Sequence, residues 1–199
     1  MNNVTDSWKN KNVFIKQLDL NLRELSNKNY PEHWLAFIQL INMEKPNSIL
    51  DIGCGCGAYY ELCRKEFPWL KYTGVDYSEE AITLASNKWS HSEFFVKDYK
   101  ELTPEYVKQF DLIHLGALLD VLPNGDEALE FILSLGAKNV LIGRMKITDN
   151  PSHFETYTAY DEITTYAYYH NKTNFLDLCK KYHYIVKNIN NNFYLTKHE

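Results

Sequence analysis

Three glycines at alternate positions, Gly53, Gly55 and Gly57, follow an apolar run at 48–52, with Asp51 just ahead and Cys54 and Cys56 between them. A glycine-rich turn between a strand and a helix gathers backbone N–H groups and the positive helix end at one point, and the missing Cβ atoms let a ligand lie against the backbone. The order is G-x-G-x-G rather than the G-x-G-x-x-G that faces a pyrophosphate, and Asp51 would repel phosphate while pairing, directly or through water, with an ammonium group. The pattern suits a zwitterion that carries no phosphate. Two further carboxylates extend it. Asp76 lies nineteen residues after Gly57, about the interval at which an acidic side chain accepts ribose hydroxyls, and Asp98 is placed to accept an exocyclic adenine N–H, with Tyr77 or Tyr99 offering a face to the ring.

These residues need a framework that brings them to one edge. The spacing predicts strands at "SILDIG", "KYTGVDY", "EFFVKDY", "FDLIHLG" and "NVLIG", with helices between them at "AYYELCRKEF", after Ser78, and at "DEALEFILSLG". Runs that are apolar on both faces belong to parallel strands covered by helices. The tail "HYIVKNINNNFYLTK" reads as two antiparallel strands joined through an Asn-rich turn. Residues 1–45 form a helical lead-in, with Val13, Leu18, Leu22 and Leu25 in one pattern and Trp34, Phe37, Ile38 and Ile41 in the other. The expectation is one domain over 1–199: the lead-in, then an α/β core from 46, doubly wound and mostly parallel. An amino acid joined to adenosine fits the three acidic stations, and S-adenosylmethionine is such a molecule.

"LDIGCGCG", "GVDYS", "VKDY" and "FDLIHLG", in this order and spacing, resemble the successive motifs of the class I S-adenosylmethionine-dependent methyltransferases. The resemblance implies a seven-stranded sheet with helices on both faces and an antiparallel C-terminal strand. It implies that Asp51 and the turn Gly53, Cys54, Gly55 and Gly57 hold the methionine moiety, Asp76 the ribose, and Asp98 with its neighbours the adenine. Backbone at Leu115 and Gly116 would approach the methyl donor. It also implies S-adenosylmethionine as cofactor and methyl transfer as the reaction.

For the acceptor, His114 ends the fourth strand, where an imidazole can take a proton from a hydroxyl; Asp120 and His153 are lesser candidates on neighbouring loops. The aromatic stretch within 146–175 is expected to form a substrate wall, in part a helix face carrying Tyr160, Ile163, Ala167 and His170. A small molecule or saccharide accepting the methyl group on a hydroxyl is therefore expected, ahead of protein or RNA acceptors and of a module that binds the cofactor without turnover.

The bulk numbers narrow the field. At 199 residues with 45% hydrophobic and 24% charged side chains, the chain can bury a full core. Net charge of −5 disfavours nucleic acid as a partner, and no segment approaches the ~20 apolar residues of a membrane span. The start lacks the apolar stretch of a secretory signal, so a cytoplasmic location with reduced thiols is expected. Cys54, Cys56 and Cys63 are able in type to hold a metal, but Cys63 falls on the inner face of a helix, and none is expected. The oligomeric state is open.

Overall fold

The computed structural model describes residues 4–28, 30–90, 92–189 and 192–198. After a 3₁₀ turn at Val4–Lys9 come helices α1 (Lys11–Asn27) and α2 (Glu32–Glu44). The core alternates: β1 (Ser48–Ile52), α3 (Ala58–Glu66), β2 (Lys71–Asp76), α4 (Glu79–Lys88), β3 (Glu93–Val96), α5 (Pro104–Val107), β4 (Leu112–Leu115), α6 (Gly125–Ser134) and β5 (Asn139–Ile142). Then follow β6 (Lys146–Thr148), β7 (His153–Ala159), β8 (Ile163–Asn171), α7 (Lys172–Lys181), β9 (Tyr184–Ile189) and β10 (Asn192–Lys197). Side-chain caps set several helix starts: Ser78 Oγ accepts from the Ala81 amide at 3.4 Å and Asn171 Oδ1 from the Asn174 amide at 3.0 Å.

Seven strands form the main sheet in the order β3-β2-β1-β4-β5-β10-β9, and β10 runs antiparallel to both its neighbours. This is the sheet expected from the sequence. The Asn-rich turn expected between the last two strands lies, at 190–191, outside the described residues. Side chains alternate between two cores. Leu50, Ile52, Ile113 and Leu115 face the core shared with α6 and α7, whereas Ile49 and Leu112 face the one shared with α2 and α3.

Residues 153–171 depart from expectation. They form the β7–β8 hairpin, which with β6 makes a second, three-stranded sheet, and Tyr160, Ile163, Ala167 and His170 lie on no helix. The chain reverses through Tyr160 and Asp161, both left-handed with φ of 57° and 56°. Along β8, Ile163, Thr165 and Ala167 are buried at every second position, the period of a strand.

Candidate active site

The connections diverge on either side of β1, since β2 and β4 are both its neighbours. An open α/β sheet forms its ligand crevice at such a point, beyond the carboxyl ends of the strands. A cavity of about 650 Å³ lies there. Gly53, Gly55, Asp76, Tyr77, Asp98 and Tyr99 line one end of it. Gly53, Gly55 and Gly57 have φ of 76°, 53° and 77°, so the alternate glycines satisfy a run of left-handed conformations that side chains adopt only at a cost. The turn is fastened to β2: the Gly53 amide donates to the Val75 carbonyl at 2.8 Å and the Gly55 amide to Asp76 Oδ2 at 2.9 Å. Asp76 Oδ1 accepts from the Ser78 amide at 2.9 Å. Burial raises this carboxyl to about 6, against the pull of the two amides and with the help of the Asp51 and Asp98 charges. Asp98 Oδ1 accepts from the Lys100 amide at 3.0 Å, which aims the carboxylate at the start of the next turn.

The other walls come from sequence-distant segments. Trp8 and Lys9, with Phe14 and Gln17 of α1, line the cavity from above, and Tyr157–Tyr160 line it from the hairpin. The two are strapped together: Trp8 Nε1 donates to Thr165 Oγ1 at 2.8 Å, and Lys16 Nζ pairs with Glu162 Oε1 at 2.7 Å. Gln17 Oε1 stands 3.2 Å from where a Cβ on Gly55 would lie, and it is buried with no hydrogen-bond partner. An orphaned acceptor over the glycine turn, beside a carboxylate held by backbone amides, fits a ligand with an ammonium at one end and ribose hydroxyls at the other.

Several expected site residues lie elsewhere. Asp51 and His114 are register partners on adjacent parallel strands and point together into the α2–α3 face, each with 1% exposure. His114 Nδ1 lies 2.8 Å from Asp51 Oδ1, and the Tyr72 hydroxyl donates to Asp51 Oδ2. Asp51 therefore does not face a ligand ammonium, and His114, flanked edge-on by Phe37 and Tyr59, does not face the crevice. Strand alternation is the reason: Ile52, one residue on, lines the cavity instead. Cys54 is buried with Tyr72 and Phe94, and a Cβ on Gly57 would stand 2.5 Å from Phe94 Cζ, so these two residues serve packing of the turn. Leu115 is a core residue whose carbonyl accepts the Gly143 amide at 2.9 Å, and a Cβ on Gly116 would meet Tyr59 at 2.8 Å. Ala117 and Leu118, just beyond, reach the cavity. Asp120 is buried outside the lining, with Oδ1 unpartnered. His153 is exposed at the start of β7, stacked on Tyr169. Cys56 packs with Phe14, and Cys63 lies in the α2–α3 core. Among the described residues no three metal-ligating side chains stand together.

The sequence pointed to neither Gln17 nor Arg144, both of which line the cavity. Neither belongs to a motif; only the fold brings them to the cavity.

Sheet order, antiparallel C-terminal strand and glycine turn together define the class I S-adenosylmethionine-dependent methyltransferase fold. The family model described as "Methyltransferase domain" matches residues 25–184. The chain belongs to that methyltransferase family, whose cofactor is S-adenosylmethionine. It is 31% identical over 115 residues to a trans-aconitate 2-methyltransferase of Yersinia pseudotuberculosis, covering 57% of this chain and 44% of that protein. The chain thus spans less than half the length of that curated relative. Among solved structures, an S-adenosylmethionine-dependent methyltransferase from Clostridium acetobutylicum superposes with a TM-score of 0.66 at 13% identity, over 93% of this chain and 99% of that one. The sugar N-methyltransferase KedS8 from Streptoalloteichus sp. superposes with a TM-score of 0.63 at 12% identity, over 92% and 93%. Among the described residues no helix is long and apolar enough to cross a membrane.

Proposed function

We propose that this chain binds S-adenosylmethionine in the cavity and methylates a small organic acceptor held between the donor end and the hairpin wall. Gly53 and Gly55 give the ligand access to the backbone, Gln17 Oε1 accepts from its ammonium, Asp76 from its ribose, and Asp98 with Tyr99 borders its base. The bound sulfonium supplies a methyl group already activated for in-line displacement, which leaves positioning as the main task of the protein. The observation that carries the proposal is that one cavity runs from Asp76 and Asp98 past the glycine turn to Tyr157 and Arg144. Its lining extends beyond the three donor stations to Tyr157, Tyr160 and Arg144. Tyr157 and Tyr160 offer flat faces with hydroxyl groups, which suits a saccharide or another small polar molecule.

No histidine among the described residues lines the cavity. An acceptor hydroxyl would therefore draw on a base other than His114, while an unprotonated amine or an anionic oxygen would need none. Incubation with methyl-labelled donor and a panel of sugars, amines and organic acids tests the proposal. Calorimetry should show one donor site per chain, weakened at least about tenfold by Asp76→Ala, consistent with loss of a buried charge-assisted contact. Absence of donor uptake by folded protein would defeat it, and uptake without transfer across the panel would favour a binding module.

A further inference from the structure

Among the described residues four cations line the cavity: Lys9, Lys97, Lys100 and Arg144. The three lysines each sit over an aromatic ring, Lys9 above Tyr77 at 5.4 Å, Lys97 above Tyr106 at 5.8 Å and Lys100 above Tyr99 at 5.7 Å. Arg144 makes no hydrogen bond, ion pair or ring contact among the described residues. It is exposed to the cavity rather than spent on the fold. Asp120, a buried carboxylate whose ionised form the Arg144 charge favours, keeps Oδ1 unpartnered. A guanidinium left unpaired beside carboxylates is available to a ligand.

The backbone points the same way. Arg144 has φ of 60°, a left-handed conformation that costs a non-glycine residue about 1 kcal/mol. Its neighbours fix it there: the Gly143 amide donates to the Leu115 carbonyl at 2.9 Å, and Met145 is buried. Arg144 shares the cavity lining with Tyr157 and Tyr160 of the hairpin wall, and its charge works against the burial that raises both hydroxyls. A second groove of about 900 Å³ meets the cavity at Arg144 and carries Lys146 and Lys172 against one carboxylate, Asp149. In a chain of net charge −5, that approach is locally basic.

We propose that Arg144 is the acceptor-binding residue of the site and that the acceptor carries a carboxylate, which the planar guanidinium holds at the hairpin end of the cavity. This deepens the proposed function and rests on it. A lysine would supply the charge without the paired, coplanar donors, so Arg144→Lys retains only part of the effect. Charge on the approach groove adds to the rate at which an anion arrives.

The test uses the full chain loaded with S-adenosylhomocysteine and titrated by calorimetry with trans-aconitate, citrate and succinate, and with their neutral methyl esters. At least one acid should bind about tenfold or more tightly than its ester, a preference of the size one charge-assisted pair provides. Arg144→Gln and Arg144→Gly should both remove the preference while leaving S-adenosylhomocysteine affinity within about twofold. Glycine suits φ of 60°, so Arg144→Gly should melt no lower than the parent and separates the side chain from the backbone. Equal binding of acids and esters, no binding of any acid, or a preference that survives in both variants overturns the proposal. Failure of the parent to take up S-adenosylhomocysteine is seen at the loading step and defeats the donor site itself, and this proposal with it.

Discussion

Asp51 and His114 meet at 2.8 Å on the α2–α3 face of the sheet, each shut off from water and each carried by the same rung of the β1–β4 pairing. The contact lies behind the cavity floor, so its first effect is on folding. His114→Ala removes one of the two side-chain partners of a buried carboxylate, and such a loss costs about 3 kcal/mol. Urea melts should show that loss, with S-adenosylhomocysteine affinity in the residual folded protein within about threefold of the parent. A variant of parental stability that no longer binds donor would return the pair to the ligand site.

With Asp76 at the proposed ribose station, donor affinity should depend on pH. Its carboxyl is raised from 3.8 to about 6 chiefly by burial. A group raised on folding contributes stability that is full below its unfolded value and lost as pH rises through 6, so this carboxyl weakens the ligand-free protein at neutral pH. Ribose hydroxyls need the ionised acceptor, so donor binding runs the other way. Between roughly pH 8 and pH 5, affinity for S-adenosylhomocysteine should hold steady and then weaken by up to about tenfold per unit below 6. Asp76→Asn should bind more weakly and flatten the profile. A parent profile as flat as the variant's would remove Asp76 from the ribose.

The α/β core was legible because its signals are local. Apolar runs of strand length, Ser78 as a cap and the alternate glycines each determine structure within a few residues. The direction of Asp51 and His114 was not, because motif spacing says which strand end a residue occupies, while the face it takes depends on alternation along the strand. The hairpin was missed for a different reason. Its turn uses Tyr160 and Asp161 where a glycine or asparagine usually signals left-handed backbone, and the apolar positions around it also match a helical period. The β-branched and aromatic content of "ITTYAYY" and the burial of Ile163, Thr165 and Ala167 at every second residue were the strand signal. Arg144 and Gln17 carried no signal at all: each matters through where the fold puts it.

Trp8 holds the roof of the cavity to the hairpin. Its indole N–H reaches Thr165 Oγ1 at 2.8 Å, and Thr165 is fully buried. Trp8→Phe keeps most of the apolar contact and deletes the donor, which leaves a buried hydroxyl short of a partner at a cost of about 1 kcal/mol. Amide exchange along 163–166 should accelerate, and S-adenosylhomocysteine should dissociate faster with little change in its association rate. Unchanged exchange in the hairpin would show that the strap does not depend on this bond.

Asp126 performs the matching task at the other end of the hairpin. Its Oδ1 lies 2.6 Å from Nδ1 of the fully buried His170, joining the first turn of α6 to the end of β8. Burial works to raise the carboxyl, but hydrogen bonds from His170 and Ser152 and the His170 charge outweigh it and hold it below the ordinary 3.8. A group depressed on folding contributes stability above its unfolded value and loses it as pH falls through the folded one. Asp126→Asn should therefore be less stable than the parent at neutral pH, by on the order of 1–2 kcal/mol. That difference should close as pH falls below 3.8 and through the depressed folded value, where the parent carboxyl takes up a proton and loses the same advantage. Thermal melts of the two proteins across that range measure it, and a difference that stays constant into acid would assign the loss to packing around Gly125, where a Cβ would already lie 2.8 Å from the His170 ring.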